Sequence, residues 1–295
     1  MAELEAQGPS PRLLNGFSRG HKPGTRTGCT LSERSIGVFD SGVGGLTVLK
    51  QILQLLPGEQ LLYLGDTARV PYGSKSPATV RRYALEAAAF LVHHQVKMLV
   101  VACNTASSVA LDELAERFRL PVIGVIEPGA RRAVSLTRNG RIGVIGTEGT
   151  IKSQAYTRAI QSLDPCVEVF AAACPLFVPL VEEGWLEHQV TRLTAREYLQ
   201  PLLNRNIDTL VLGCTHYPLL KGVLQEVLGE QVQLIDSAEA TALTVAECLR
   251  AENRLRVVEP SRARFFVTDV PERFQRVGGA FLGTALNEVE QVVLD

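Results

Sequence analysis

The chain reads as an α/β protein built from two similar parallel-sheet lobes, and three observations lead there. Short β-branched apolar runs alternate with amphipathic helical patterns from residue 36 onward, which is the signature of βαβ units. The segment Ala102-Cys103-Asn104-Thr105 has a counterpart, Gly213-Cys214-Thr215-His216, with the two cysteines 111 residues apart and each segment directly after an apolar run. A second pair, Ile36-Gly37-Val38 and Ile142-Gly143-Val144, is offset by 106 residues, so two separate landmarks repeat at nearly one period and mark the chain as pseudo-duplicated.

Taken in order, residues 1–34 are rich in Gly, Pro, Ser and Arg and carry too little apolar surface to pack, so a flexible N-terminal extension is expected. Strands are predicted over 36–39, 61–64, 98–102, 122–125, 142–145, 167–171, 209–212 and 232–235. Between them, helical periodicity predicts helices over 79–95 and 111–118, and another over 191–204 that Pro201 should kink or end early. After residue 237 a helical pattern leads to a strand-like run over 264–268 that has no counterpart at the end of the first half. The expected division is a first lobe of residues 35–127 plus 237–295 and a second of residues 128–236.

Composition narrows the function. With 295 residues and 46% hydrophobic content the chain can bury real cores. Its 30 basic against 31 acidic residues give no field for general nucleic-acid binding, which leaves a small molecule as the expected partner. Six cysteines, none in a CxxC pair, fit a reducing cytoplasm. No apolar stretch approaches the roughly 18 residues of a membrane span, and no signal-peptide core precedes residue 36.

Both cysteine motifs fall at the C-terminal ends of predicted buried strands, where open α/β sheets form ligand crevices. Each thiol sits beside amide or hydroxyl groups at an expected helix start, a setting that lowers a thiol pKa. Two thiols would then flank one substrate. Asp40-Ser41-Gly42-Val43-Gly44-Gly45 follows the first strand. It fails as a dinucleotide fingerprint because Thr47 stands where the third glycine belongs, and it lacks the Gly-Lys-Ser/Thr of a Walker loop. Its glycines would let backbone approach an anion at a helix N-terminus. Cys103, Cys214, His216 and Asp40 lack the local spacing of a structural zinc site, so no metal is expected. Pro71-Tyr72-Gly73 reads as a turn or as part of the crevice wall, and Glu182 with Glu183 as a helix end. Ser41 aligns with Thr147 in the repeat.

These motifs, together with Gly146-Thr147-Glu148-Gly149-Thr150 and Tyr217-Pro218, make the chain resemble the glutamate racemases of the aspartate/glutamate racemase superfamily across roughly residues 35–290. The resemblance implies two α/β lobes facing each other across a central active-site cleft, with the C-terminal segment returning to the first lobe. It implies interconversion of L- and D-glutamate without a cofactor, supplying D-glutamate for peptidoglycan. Inverting a stereocentre by proton transfer needs a base on one face and an acid on the other. By similarity Cys103 acts on D-glutamate and Cys214 on L-glutamate, with Asp40, His216 and Glu182 assisting. Asp40, Ser41, Tyr72, Gly73, Asn104, Thr105, Thr215 and His216 would bind substrate, with Thr150 a further contact. Some relatives with such an extension respond to UDP-N-acetylmuramoyl-L-alanine, and a homodimer is compatible with the family. Rival readings are an aspartate, hydantoin or arylmalonate enzyme, a silent amino-acid sensor, or a zinc hydrolase. Thr215-His216 favours glutamate over aspartate, whose relatives tend to carry an acidic residue in place of the histidine.

Overall fold

The computed structural model describes residues 31–256 and 262–294. Most of the expected extension, residues 1–30 with Cys29, lies outside the described residues; Leu31–Glu33 forms a single 3₁₀ turn before the first strand. The first half runs β1 (Ile36–Asp40), α1 (Leu46–Leu55), β2 (Gln60–Gly65), α2 (Pro77–His93), β3 (Met98–Val101), α3 (Asn104–Phe118), β4 (Val122–Gly124) and α4 (Ile126–Leu136). The second continues with β5 (Arg141–Gly146), α5 (Glu148–Lys152), α6 (Ala155–Leu163), β6 (Glu168–Ala173), α7 (Phe177–Glu182), α8 (Gln189–Leu203), β7 (Thr209–Gly213), α9 (Lys221–Leu228) and β8 (Gln233–Asp236). The closing segment adds α10 (Ser237–Ala251), β9 (Arg262–Val267), α11 (Pro271–Leu282) and β10 (Val289–Gln291).

Two sheets result, β10-β9-β2-β1-β3-β4 and β6-β5-β7-β8, with every pairing parallel. The order β2-β1-β3-β4 of one repeats as β6-β5-β7-β8 of the other, so the duplication read from two sequence landmarks is a duplication of topology. All residues of β1, β3 and β7 are buried, as an uninterrupted apolar run requires when helices cover both sheet faces. Each such Ile, Val or Leu contributes roughly 1.5–3 kcal/mol over its exposed state. Register then levels the strand ends that matter. Phe39 pairs with Val101, and Gly146 with Gly213, which sets the Asp40 loop beside Cys103 and Thr147 beside Cys214.

The closing segment returns to the first sheet, where β9 pairs along the whole of β2, while α10 packs on both α1 and α4. At the N-terminal ends of β2 and β3, opposite the cysteine end of the sheet, buried Lys97 and Glu59 pair at 2.6 Å. Lys97 Nζ also donates to Ser32 O and Arg254 O, and the Arg256 amide donates to Glu59 Oε1. Removing one partner of such a buried pair costs about 3–5 kcal/mol, so this knot pins the returning chain.

Three local expectations change. Helix α3 starts at Asn104, seven residues before the predicted start at 111, because Cys103 serves as its N-cap and the buried face begins at once with Asn104, Thr105, Ala106 and Ser107. Helix α8 passes through Pro201 to Leu203; the proline forfeits the bond to the carbonyl four residues earlier, and the burial of Leu199 and Leu202 offsets that loss. Cys214 is not followed directly by an α-helix. A 3₁₀ turn, Tyr217–Leu220, with Pro218 at its start, comes first. Helix α11 and strand β10 carried no pattern distinct enough to be predicted.

Candidate active site

One narrow cavity of about 50 Å³ lies between the two sheets, and its wall includes Ser41, Tyr72, Gly73, Cys103, Asn104, Thr105, Glu182, Cys214, Thr215 and His216. Ten residues singled out from the sequence therefore meet in one place. Asp40 is not in that wall. It sits behind it, 1% exposed, with Oδ2 accepting the Gly42 amide at 2.9 Å and Oδ1 buried without a hydrogen-bond partner. Burial raises the Asp40 carboxyl pKa, against the opposing pull of His216. A carboxylate does lie against the glycine loop, and it is the protein's own Asp40. Leu46 and Thr47 amides at the start of α1 bond back to Val43 O and Gly44 O, and Asp40 supplies the negative charge there.

The glycines also admit the other half of the molecule. A Cβ on Gly44 would stand 2.2 Å from Thr215 Oγ1 and 2.5 Å from His216 Nδ1. Thr47 Oγ1 reaches Gly44 O at 3.0 Å and Thr215 O at 3.2 Å, so the residue that broke the dinucleotide fingerprint stitches the glycine loop to the Cys214 motif. On the opposite side a Cβ on Gly73 would meet Thr147 at 2.6 Å.

Cys103 caps α3, its Sγ accepting the Ala106 amide at 3.5 Å. The helix N-terminus favours a thiolate, and so does Ser41, but burial and then the charge of Asp40 push the thiol up to about 12. Beside it, Asn104 Oδ1 accepts the Tyr156 hydroxyl at 2.8 Å, which leaves the buried Nδ2 as an unpartnered donor in the cavity wall. Burying such a donor without a partner is costly, and a ligand oxygen would relieve it. Thr105, Thr147 and Thr150 join hydroxyls at 2.9–3.3 Å across the two halves. The Tyr72 hydroxyl donates to Asp66, which also binds Arg69 and Thr268.

Cys214 faces a different neighbour. His216 Nδ1 lies 3.9 Å from its Sγ, His216 Nε2 lies 3.1 Å from Glu182 Oε1, and Glu182 Oε2 accepts Arg273 Nη2 at 3.0 Å. Burial works against a charged imidazole, yet the bonds to Cys214 and Glu182 outweigh it and hold His216 up at about 10. The hydrogen bond from His216, then Arg273, keeps the Glu182 carboxyl below its usual range despite partial burial. Among the described residues no three His, Cys, Asp or Glu side chains come together as a metal-holding group. Of the remaining cysteines, Cys174 is buried and Cys166 exposed.

Sequence reasoning missed Arg273, Tyr156, Val178 and the wall position of Thr147. Only Thr147 had a signal, its alignment with Ser41 in the repeat; the others reach the site through tertiary packing of α11, α6 and α7.

The cavity thus has one thiol in its wall from the end of a strand of each sheet. Comparison with known proteins gives the class, that of the amino-acid racemases. The chain belongs to the Asp/Glu/Hydantoin racemase family, whose profile matches residues 36–245, and it is an amino-acid racemase. It is 61% identical to the glutamate racemase of Geobacter metallireducens, over 89% of this chain and 97% of that one. The fold matches that of Francisella tularensis glutamate racemase in complex with D-glutamate with a TM-score of 0.85 at 41% identity, covering 90% of this chain and 99% of the other. Escherichia coli glutamate racemase, solved with L-glutamate and the activator UDP-MurNAc-ala, matches with a TM-score of 0.73 at 32% identity, covering 88% and 99%.

Proposed function

We propose that this racemase interconverts L- and D-glutamate by a two-base mechanism with Cys103 and Cys214 as the bases. The observation that carries the reading is the shared cavity, walled by both thiols, whose electrostatic neighbours are opposite. Burial and Asp40 favour the protonated form at Cys103. At Cys214 the neighbour is instead His216, held up at about 10 and braced by Glu182. Starting from L-glutamate, the Cys214 thiolate takes the α-proton, the carbon holds the electron pair, and the Cys103 thiol delivers its proton to the other face. The bases are left with exchanged protonation, and the reverse direction uses them in exchanged roles. Asn104 Nδ2 and the hydroxyls of Ser41, Thr105 and Thr215 are donors for the substrate carboxylates, which stabilises the developing carbanion electrostatically.

The same reading assigns residues 35–127 with 237–295 to one lobe and 128–236 to the other, and makes D-glutamate for peptidoglycan the product. It extends to activation by UDP-N-acetylmuramoyl-L-alanine through residues 1–34. Truncation to residue 35 removes that activation if the extension carries it, and unchanged activation places the effector elsewhere.

The test is polarimetry on chelator-treated protein with no added cofactor, given L-glutamate or L-aspartate. Loss of rotation with glutamate is expected. Preferential turnover of aspartate would overturn the substrate assignment, and tight glutamate binding without α-proton exchange would favour a silent sensor.

A further inference from the structure

We infer that Arg273, on α11, is a positioning residue for the Cys214 half of the reaction, fixing Glu182 so that Glu182 holds His216 against Cys214. Arg273 lies outside the 36–245 span of the family profile, and it does not touch the cavity. The inference rests on the two-cysteine reading above.

The chain of contacts runs Arg273 Nη2 to Glu182 Oε2 at 3.0 Å, Glu182 Oε1 to His216 Nε2 at 3.1 Å, and His216 Nδ1 to Cys214 Sγ at 3.9 Å. Each carboxylate oxygen of Glu182 therefore has one partner, and the two partners arrive from elements 91 and 34 residues away in the chain. Glu182 is the last residue of the six-residue helix α7, a short element with little of its own to fix a side chain. Occupied on one oxygen only, the carboxylate could rotate about its terminal bonds and release Nε2. Occupied on both, it sets the imidazole orientation, and with it which nitrogen faces the thiol.

Helix α11 secures His216 from a second direction. Phe281, two turns beyond Arg273, meets the imidazole ring edge-to-face with centroids 5.2 Å apart, while Phe274 and Phe281 are themselves buried. The α11 register that seats these rings also places Arg273 at Glu182. The charged and titratable groups facing His216 are thus Cys214 and Glu182 in contact, Asp40 through space, and Arg273 behind Glu182. The guanidinium is more than half exposed, and an ion pair of that kind adds little to folding stability, so its role is separable from a structural one.

Haldane's relation fixes the ratio of kcat/KM in the two directions, so a rate loss cannot by itself say which thiol is affected. Primary deuterium isotope effects can. In Arg273→Ala, kcat/KM is expected to fall about tenfold, the scale on which loss of a group orienting a reacting side chain is felt. The isotope effect with [2-²H]-L-glutamate should rise, because Cys214 removes that proton, while the effect with [2-²H]-D-glutamate should stay level or fall. Arg273→Lys should restore most of the rate, and the melting temperature should not move in either variant. Unchanged kcat/KM, or isotope effects that rise equally with both enantiomers, overturns the inference. The wild-type protein in deuterated water is the independent control: deuterium entering recovered substrate as fast as product would overturn the two-cysteine reading itself, whatever Arg273 does.

Discussion

Cys103 and Cys214 follow equivalent strands, β3 and β7, in sheets of the same order, yet the chain after each cysteine differs. After Cys103 the backbone enters α3 at once, so the thiol caps a helix and sits in front of Asp40. After Cys214 it makes a 3₁₀ turn, which swings His216 back to 3.9 Å from the sulfur. The duplicated sheets place two like atoms on two sides of one cavity; the unlike turns give one an acidic neighbour and the other a cationic one. A proton relay across a stereocentre needs that difference at every turnover, since one base must be loaded while the other is empty.

Removing either thiol should break the comparison most completely. Cys103→Ala and Cys214→Ala are each expected to lower kcat by about 10²–10⁴-fold or more, with circular dichroism and melting temperature close to those of the parent. Near-normal racemisation in either would remove one half from the mechanism.

Gly44→Ala comes next, because its Cβ would press on Thr215 and His216. It should destabilise the fold by about 1–3 kcal/mol in denaturant titration and depress kcat. Gly222→Ala, at a helical site with nothing within 4 Å, should do neither.

Asp40→Asn sharpens the first half. The Asp40 charge helps raise the Cys103 thiol, so its removal should move that pKa down from about 12, read as thiolate ultraviolet absorbance against pH in a Cys214→Ala background. A pKa that stays or rises would remove Asp40 from the account of Cys103.

A separate effect is on stability against pH. Between about pH 6.5, where an unfolded histidine titrates, and about pH 10, folded His216 keeps a proton that the unfolded chain has released. Its contribution is complete below that window and lost as pH rises through it. Glu182, with a lowered pKa, contributes above the unfolded carboxylate pKa and loses its share as pH falls. His216→Gln should flatten the alkaline slope of stability, measured as unfolding free energy at stepped pH. An unchanged slope would mean that His216 is not held charged.

Much of this was legible in the residues because it lies in short segments with a strict period. The strand-like runs located nine of the ten described strands, and the repeated cysteine contexts located both thiols. What stayed hidden depends on contacts between distant segments. The role of Gly44 is visible only once Thr215 and His216 are packed against it, and Glu182 looked like a solvated helix end until α11 closed over it with Arg273 and Phe281. The early start of α3 was masked because Asn104, Thr105 and Ser107 are polar residues that a periodicity count leaves out, though all three are buried.

The central claim is that each face of the substrate has its own base, and the most direct measurement is racemisation of L-glutamate in deuterated water, stopped early, with deuterium counted separately in recovered L-glutamate and in D-glutamate. A thiol carries one proton, so a carbanion that collapses back takes its original proton from Cys214, whereas one that goes forward takes a solvent-derived deuteron from Cys103. The account predicts deuterium in the product and almost none in the recovered substrate. Deuterium appearing in both at equal rates would mean a single base serves both faces and would contradict it.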